Sequence, residues 1–277
     1  MSAQIDWSTR MKSVKALMDL QGRVALITGG AGHLGQAMAA ALAELGAAVA
    51  VLDVNAEAAT GVADTLHTDY GVPTMAMAVD LTDDDAVRRA PELVSHRLGR
   101  LDILVNNAAL VGTSTLKGWG VPFSDQHVDT FRLALDVNLT APFVLTQACR
   151  PALAASGHGS VINIGSIYGM VAPDMSLYEG TPLGNPAAYA ASKGGLLQLT
   201  RWMTTVLAPE IRVNAITVGG VWRNQAAAFH ERYVARTPLG RMAAEEDLKG
   251  AVAYLASDLS AYVTGHNLVV DGGWTAW

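Results

Sequence analysis

Residues 23–46 read RVALITGGAGHLGQAMAAALAELG, and the change of character inside this stretch decides the fold. The run RVALITGG (23–30) is apolar and ends in glycines, which suits a buried strand. HLGQAMAAALAELG (33–46) then repeats its apolar residues at helical spacing and stops at Gly46, a natural C-cap. The join, TGGAGHLG (28–35), sets Gly29, Gly32 and Gly35 in a G-x-x-G-x-x-G spacing with His33 and Leu34 inside the loop. That spacing is weak by itself. Its place between a first strand and a first helix gives it meaning, because glycines there let the backbone turn tightly and approach a pyrophosphate at the helix N-terminus.

The same alternation continues outward. AAVAVLD (47–53) reads as a second strand, followed by a helix capped by Asn55. MAMAVD (75–80), a helix from Thr82 to about Leu98, and LDILVNNA (101–108) come next. SVINIG (160–165), IRVNAITV (211–218) and NLVVDGG (267–273) are the remaining strand candidates, with long helical stretches between them. Apolar strands separated by helices predict an α/β fold, a Rossmann-type doubly wound parallel sheet flanked by helices on both faces. No linker, repeat or composition shift divides the chain, so one domain is expected over residues 21–277, preceded by an N-terminal arm, 1–20. In that arm Trp7, Met11, Val14 and Met18 recur every three or four residues, which predicts an amphipathic helix lying on the body or on a sister subunit. Arg10, Lys12 and Lys15 make too thin a basic face for a membrane-surface helix.

Asp53 closes the second strand, where an acidic side chain accepts hydrogen bonds from an adenosine ribose. From Val24 to Val87 there is no Lys or Arg, so a 2′-phosphate would meet a carboxylate and no strong cation. NAD is therefore expected in preference to NADP. Asp80 and Leu81, after the third strand, are candidates for the adenine edge, with helix entry as the competing role for Asp80.

Composition narrows the remaining classes. The chain has 277 residues, 51% of them hydrophobic and only 16% charged, with a formal charge of −6. Such a chain builds a large core and gives no support to nucleic-acid or anionic-membrane binding. Cys149 is the single cysteine, which excludes an intrachain disulfide and argues against a cysteine metal site, so no metal is expected. With no apolar run near ~18 residues and no signal-like block at the N-terminus, a soluble cytoplasmic protein is the expectation.

Seven motifs stand in order along the chain: TGGAGHLG, NNAA (106–109), DVN (136–138), IGS (164–166), YAASK (189–193), VNAITVGG (213–220) and VVDGGW (269–274). Together they resemble the short-chain dehydrogenase/reductase family, in its compact single-domain branch, from about Leu20 to Trp277. Two departures are visible. His33 stands where compact members carry a glycine, giving the loop spacing of the family's longer branch, and Val218 replaces the usual proline before Gly219.

Three tyrosines, Tyr168, Tyr178 and Tyr189, compete for the chemistry. A phenol titrates near ~10 and needs a stabilising charge to act at neutral pH. Asn185 and Pro186 read as N-cap and first helical residue, which sets Tyr189 and Lys193 at i and i+4 on one helix face. Tyr178 has Pro182 at that position, although its distance from Ser166, 12 residues against 23 for Tyr189, is the family's usual one. An insertion of roughly ten residues explains the difference. By resemblance, Tyr189 is general acid/base, Lys193 lowers its pKa and holds the nicotinamide ribose, Ser166 bonds the substrate oxygen, and Asn138 joins a proton relay through water. The resemblance also implies that Asn107, Ala108, Gly219 and Val221 line the cofactor cleft, and that the protein is a homotetramer. Asn106 is expected to be structural.

The inserted stretch MVAPDMSLYEGTPLGNP (170–186) is turn-rich and polar, so it should overhang the site's mouth. Tyr178, Glu179 and Thr181 suit a polyhydroxylated substrate, and the phrase YEGT resembles relatives acting on sugars or sugar nucleotides. Trp222, Arg223, Phe229 and Tyr233 are the second candidate wall. The reading is an NAD-dependent alcohol dehydrogenase or ketone reductase acting on a small molecule, with a sugar, polyol or sugar derivative as leading substrate and carbohydrate metabolism as its setting. An apolar or steroid-like ketone is the alternative, and a dinucleotide-sensing protein without turnover is the alternative of another class.

Overall fold

β1 (Val24–Thr28) is buried at every position, and the reason lies in its two sides. Val24 and Leu26 enter one hydrophobic core while Ala25 and Ile27 enter another, because successive strand residues face opposite ways. A strand covered on both faces must be apolar throughout, which is the pattern read from the sequence. The computed structural model describes residues 11–111 and 115–277.

The other strands are β2 (Ala48–Asp53), β3 (Thr74–Ala78), β4 (Ile103–Asn106), β5 (Gly159–Ser166), β6 (Ile211–Val218) and β7 (Asn267–Val270). They form one sheet in the order β3-β2-β1-β4-β5-β6-β7, and every pairing is parallel. Helices α2 (His33–Glu44), α3 (Ala56–Tyr70) and α9 (Lys249–Ala256) pack on one face. On the other lie α4 (Asp84–Leu98), α6 (Ala141–Ser156) and α7 (Ala187–Leu207). α5 (Val128–Leu135) runs into α6 through a wide turn of π type, Asp136–Thr140, and α8 (Ala227–Ala235) follows β6. The strand order reverses between β1 and β4. A crevice therefore opens beyond their carboxyl ends, where this architecture places ligands.

Local signals in the sequence located most elements. Asn55 caps α3 through Ala58 N–H, as expected. α4 begins two residues later than predicted: Asp83 caps it, while Thr82 bonds back to Asp80 through its amide and hydroxyl, 2.9 and 2.8 Å. α7 corrects a second reading. It starts at Ala187 with Pro186 at the cap, and the Ala187 amide donates 3.0 Å to the Gln126 side-chain oxygen, so Asn185 is not its N-cap.

The N-terminal arm is described from residue 11 onward. Its described helix, α1 (Val14–Met18), has five residues, and Met11 and Val14 are 80% and 66% exposed. Leu20 is the residue that enters the core, and Lys12 pairs with Asp258 at 3.6 Å. Trp7 and Arg10 lie outside the described residues. Among the described residues no helix is long and apolar enough to cross a membrane.

Candidate active site

One cleft of about 1070 Å³ runs across the carboxyl ends of the strands. The glycine loop forms its first end. Gly29 has a left-handed φ of 58°, and a Cβ on it would lie 2.8 Å from Ala108 Cα. A Cβ on Gly35 would stand 2.2 Å from Gly29 O. Only hydrogen fits at either position. Asn107 shapes the loop from β4, its Nδ2 donating to Thr28 O at 2.9 Å and Gly29 O at 3.0 Å. Asp53 holds it from β2, one oxygen accepting from Ala31 N–H and the other from Asn55 N–H, both at 3.1 Å. His33 opens α2, so the helix N-terminus points into the cleft's rim. A loop that admits no side chain, a helix start and a strand-end carboxylate fit a dinucleotide: pyrophosphate at the helix, ribose at Asp53.

All the residues expected to touch a cofactor line this cleft: Gly29, Gly32, His33, Leu34, Gly35, Asp53, Asp80, Leu81, Asn107, Ala108, Tyr189, Lys193, Gly219 and Val221. Asp80 combines both readings. It lines the cleft and forms the turn into α4, and its hydrogen bonds from the Thr82 amide and hydroxyl hold the carboxyl below its usual range. Val218 continues β6 in regular register opposite Ser166 and Val270, and the Gly219 amide bonds Val270 O at 3.0 Å.

Ser166, Tyr189 and Lys193 meet in the middle of the cleft. Ser166 ends β5, and its Oγ accepts from the Tyr168 amide at 3.2 Å. Burial pushes the Tyr189 phenol up, and the hydrogen bond with Ser166 opposes that rise. Lys193, on the same face of α7, is buried and donates 2.7 Å to Ile164 O; burial pushes its ammonium down to about 8. The ammonium lies 6.0 Å from the Tyr189 ring centroid. The Ser166 hydrogen bond thus acts directly against the burial of the phenol.

Asn138 stands outside the lining of the cleft. It is fully buried in the π-type turn. Its Oδ1 accepts from Leu110 N–H at 2.7 Å, and its Nδ2 donates to Leu110 O and Ser192 Oγ, both at 3.0 Å. Ser192 in turn bonds the Tyr189 carbonyl at 2.9 Å. The amide's two donors are both engaged, and through Ser192 the side chain is tied to the helix that carries Tyr189. Asn106 is structural as expected, bonded to Asn163 at 2.8 Å between the strands.

At the far end Tyr168 and Tyr178 both reach the cleft. Asn185 Nδ2 donates to the Tyr178 hydroxyl at 3.1 Å, and that hydroxyl donates to Tyr168 at 3.0 Å. Burial, then Tyr178, pushes the Tyr168 phenol far above its ordinary value, so it is no base. Tyr168 sets its edge against Trp274, and Tyr233 stacks on the same indole. Glu179 and Trp222, both expected toward the substrate, stand outside the lining of the cleft. Glu179 is exposed and uses its carbonyl to accept from Arg232 at 2.6 Å. Trp222 is 41% exposed and packs on the His230 ring instead. Their neighbours Tyr178 and Arg223 do line the cleft. Sequence reading missed Leu110, Leu183, Asn185 and Met242, which come from separate segments with no shared motif.

The insertion is fastened across the mouth. Arg232 of α8 donates to the carbonyls of Ser176, Leu177 and Glu179, and Arg236 pairs with Asp174.

A family model described as enoyl-(acyl carrier protein) reductase matches residues 29–275. The cis-4-hydroxycyclohexanecarboxylate dehydrogenase of Sinomonas cyclohexanicum is 35% identical over 92% of this chain and 97% of its own. The D-threitol dehydrogenase of Mycolicibacterium smegmatis is 32% identical over 92% and 94%. The structure of a gluconate 5-dehydrogenase from Burkholderia cenocepacia J2315, in complex with NADP and tartrate, superposes with a TM-score of 0.85 at 33% identity, covering 96% of this chain and all of that one. The chain belongs to the short-chain dehydrogenase/reductase family. It is an NAD(P)-dependent oxidoreductase acting on CH–OH groups.

Proposed function

We propose that this protein interconverts an uncharged, hydroxyl-bearing secondary alcohol and its ketone, using NAD in preference to NADP. The single observation that carries the reading is the meeting of Ser166, Tyr189 and Lys193 midway between the glycine loop and an amphipathic wall. Bound nicotinamide supplies the hydride acceptor or donor. Ser166 Oγ orients the substrate oxygen, and Tyr189 takes or returns its proton. Lys193, fixed by the Ile164 carbonyl, adds positive charge on the same helix face and favours the phenolate as the proton leaves. Asn138 keeps α7 in register through Ser192.

The wall supports the substrate class. Tyr168, Tyr178 and Asn185 bring hydroxyls and an amide to the lining of the cleft, which apolar Leu110, Leu183, Phe229 and Met242 share. A cyclic polyol or sugar derivative presents matching faces, hydroxyl edges to the first set and C–H surface to the second. Glu179 takes no part, and no carboxylate among the described lining residues stands at this end. The preference for NAD rests on Asp53 at the ribose position without a Lys or Arg between Val24 and Val87.

Steady-state rates with NAD and NADP over neutral polyols, alicyclic alcohols and their carboxylate analogues test this reading, with Tyr189→Phe as control. Turnover should favour NAD and neutral hydroxylated rings. Tyr189→Phe should lose about 10²–10⁴-fold in rate while still binding NADH. Equal use of NADP would overturn the Asp53 reasoning, and unimpaired turnover in Tyr189→Phe would remove Tyr189 from the chemistry.

A further inference from the structure

Arg223 lines the cleft, yet the reaction as described makes no use of it. Its setting comes from a short parallel bridge between Val221 and Ala243, closed by Trp222 N–H to Ala243 O and Ala243 N–H to Gly220 O, both 2.9 Å. Residues two positions beyond such a bridge fall side by side on one face. That brings Glu245 to Arg223, with Nη1 2.6 Å from Oε1. Nη1 also donates to Trp222 O at 2.7 Å. The backbone here is pinned by the Arg223 amide bonding Gln225 Oε1 at 2.8 Å, and by Asn224 in the left-handed region at φ 55°. Glu245 Oε1 also lies 3.9 Å from Nδ1 of His33, the first residue of α2.

Nη1 thus sits between the Trp222 carbonyl and the Glu245 carboxylate, while Nε and Nη2 have no partner among the described residues. These two nitrogens form a side-on fork with parallel N–H bonds, the geometry that grips two oxygens of a phosphate. We propose that Arg223 clamps the pyrophosphate of the bound dinucleotide through this fork, and that Glu245 is the positioning residue that holds Nη1. The inference rests on the assignment of the glycine-loop end of the cleft to the dinucleotide. Arg223 belongs with that end because its anchor, Glu245, lies 3.9 Å from His33 at the N-terminus of α2. A clamp of this kind supplies a cation to the phosphates from outside the glycine loop, which itself offers only backbone donors and His33.

The test is direct binding. NADH affinity is measured by its fluorescence, and ADP and adenosine are measured as competitors, for wild type, Arg223→Gln and Glu245→Gln. Arg223→Gln should weaken NADH and ADP about tenfold or more and leave adenosine within about twofold, since only the first two carry a diphosphate. Glu245→Gln should shift NADH and ADP in the same direction by about threefold, with adenosine unchanged. NADH affinity equal in wild type and Arg223→Gln overturns the proposal. So does a raised KM for the alcohol at unchanged NADH affinity, which would assign the fork to the substrate. Failure of wild type to bind NADH is a different outcome, and overturns the cleft assignment itself.

Discussion

Replacing Lys193 with methionine removes a charge that the fold holds at a cost. The ammonium is buried, bonded to Ile164 O, and pushed by burial from 10.5 down to about 8. The folded state therefore binds this proton less tightly than the unfolded chain. Below about pH 8 the charged lysine destabilises the fold, and the penalty fades as pH rises toward the unfolded value. A depression of about 2.5 units corresponds to about 3 kcal/mol. Methionine keeps the length of the side chain, and the loss of the bond to Ile164 O offsets about 1 kcal/mol. Lys193→Met should thus be about 2 kcal/mol more stable than wild type near pH 7, and inactive. Urea unfolding without cofactor, at about pH 7 and about pH 9.5, reads the difference, because every other titrating group is common to both proteins. Between those conditions wild type should gain about 2 kcal/mol on the variant. A stability gap that stays constant within about 0.5 kcal/mol, or a variant less stable at neutral pH, would refute the reasoning.

Other residues give independent tests. Gly35→Ala forces a Cβ to 2.2 Å from Gly29 O, so calorimetry should find NADH binding reduced at least about tenfold and the fold weakened by about 1–3 kcal/mol. Tyr178→Phe breaks the chain from Asn185 to Tyr168, and should raise KM for a hydroxylated substrate about three- to tenfold with little change in kcat; an unchanged KM would remove the wall from recognition. Asp102 is fully buried and accepts from Val24 N–H, Arg100 Nε and Arg100 Nη2 at 2.9, 2.8 and 2.6 Å. Asp102→Ala should cost about 3–5 kcal/mol in urea unfolding and leave turnover per folded molecule intact.

The features that the sequence alone determined are those in which the deciding residues are neighbours. Strand, glycine loop and helix are written within residues 23–46, and burial on both faces makes β1 and β2 apolar without reference to their partners. Tyr189 was separable from Tyr178 because four residues along a helix bring Lys193 to the same face, whatever surrounds them. Tertiary structure decided what depends on distant segments. Asn185 looked like a helix cap until Gln126, 61 positions from Ala187, supplied the oxygen and freed it to bond Tyr178. Asn138 was drawn toward Leu110 and Ser192, and Lys193 toward the carbonyl of Ile164, none of which its own neighbourhood specifies. In the insertion, adjacent residues part company: Tyr178 lines the cleft and Glu179 does not, where Arg232 of α8 holds the carbonyls of Leu177 and Glu179 on either side. Trp222 and Arg223 divide in the same way, one onto His230 and the other onto Glu245. Which way a loop side chain turns is settled by partners brought close only when the sheet has formed, and local spacing carries no record of them.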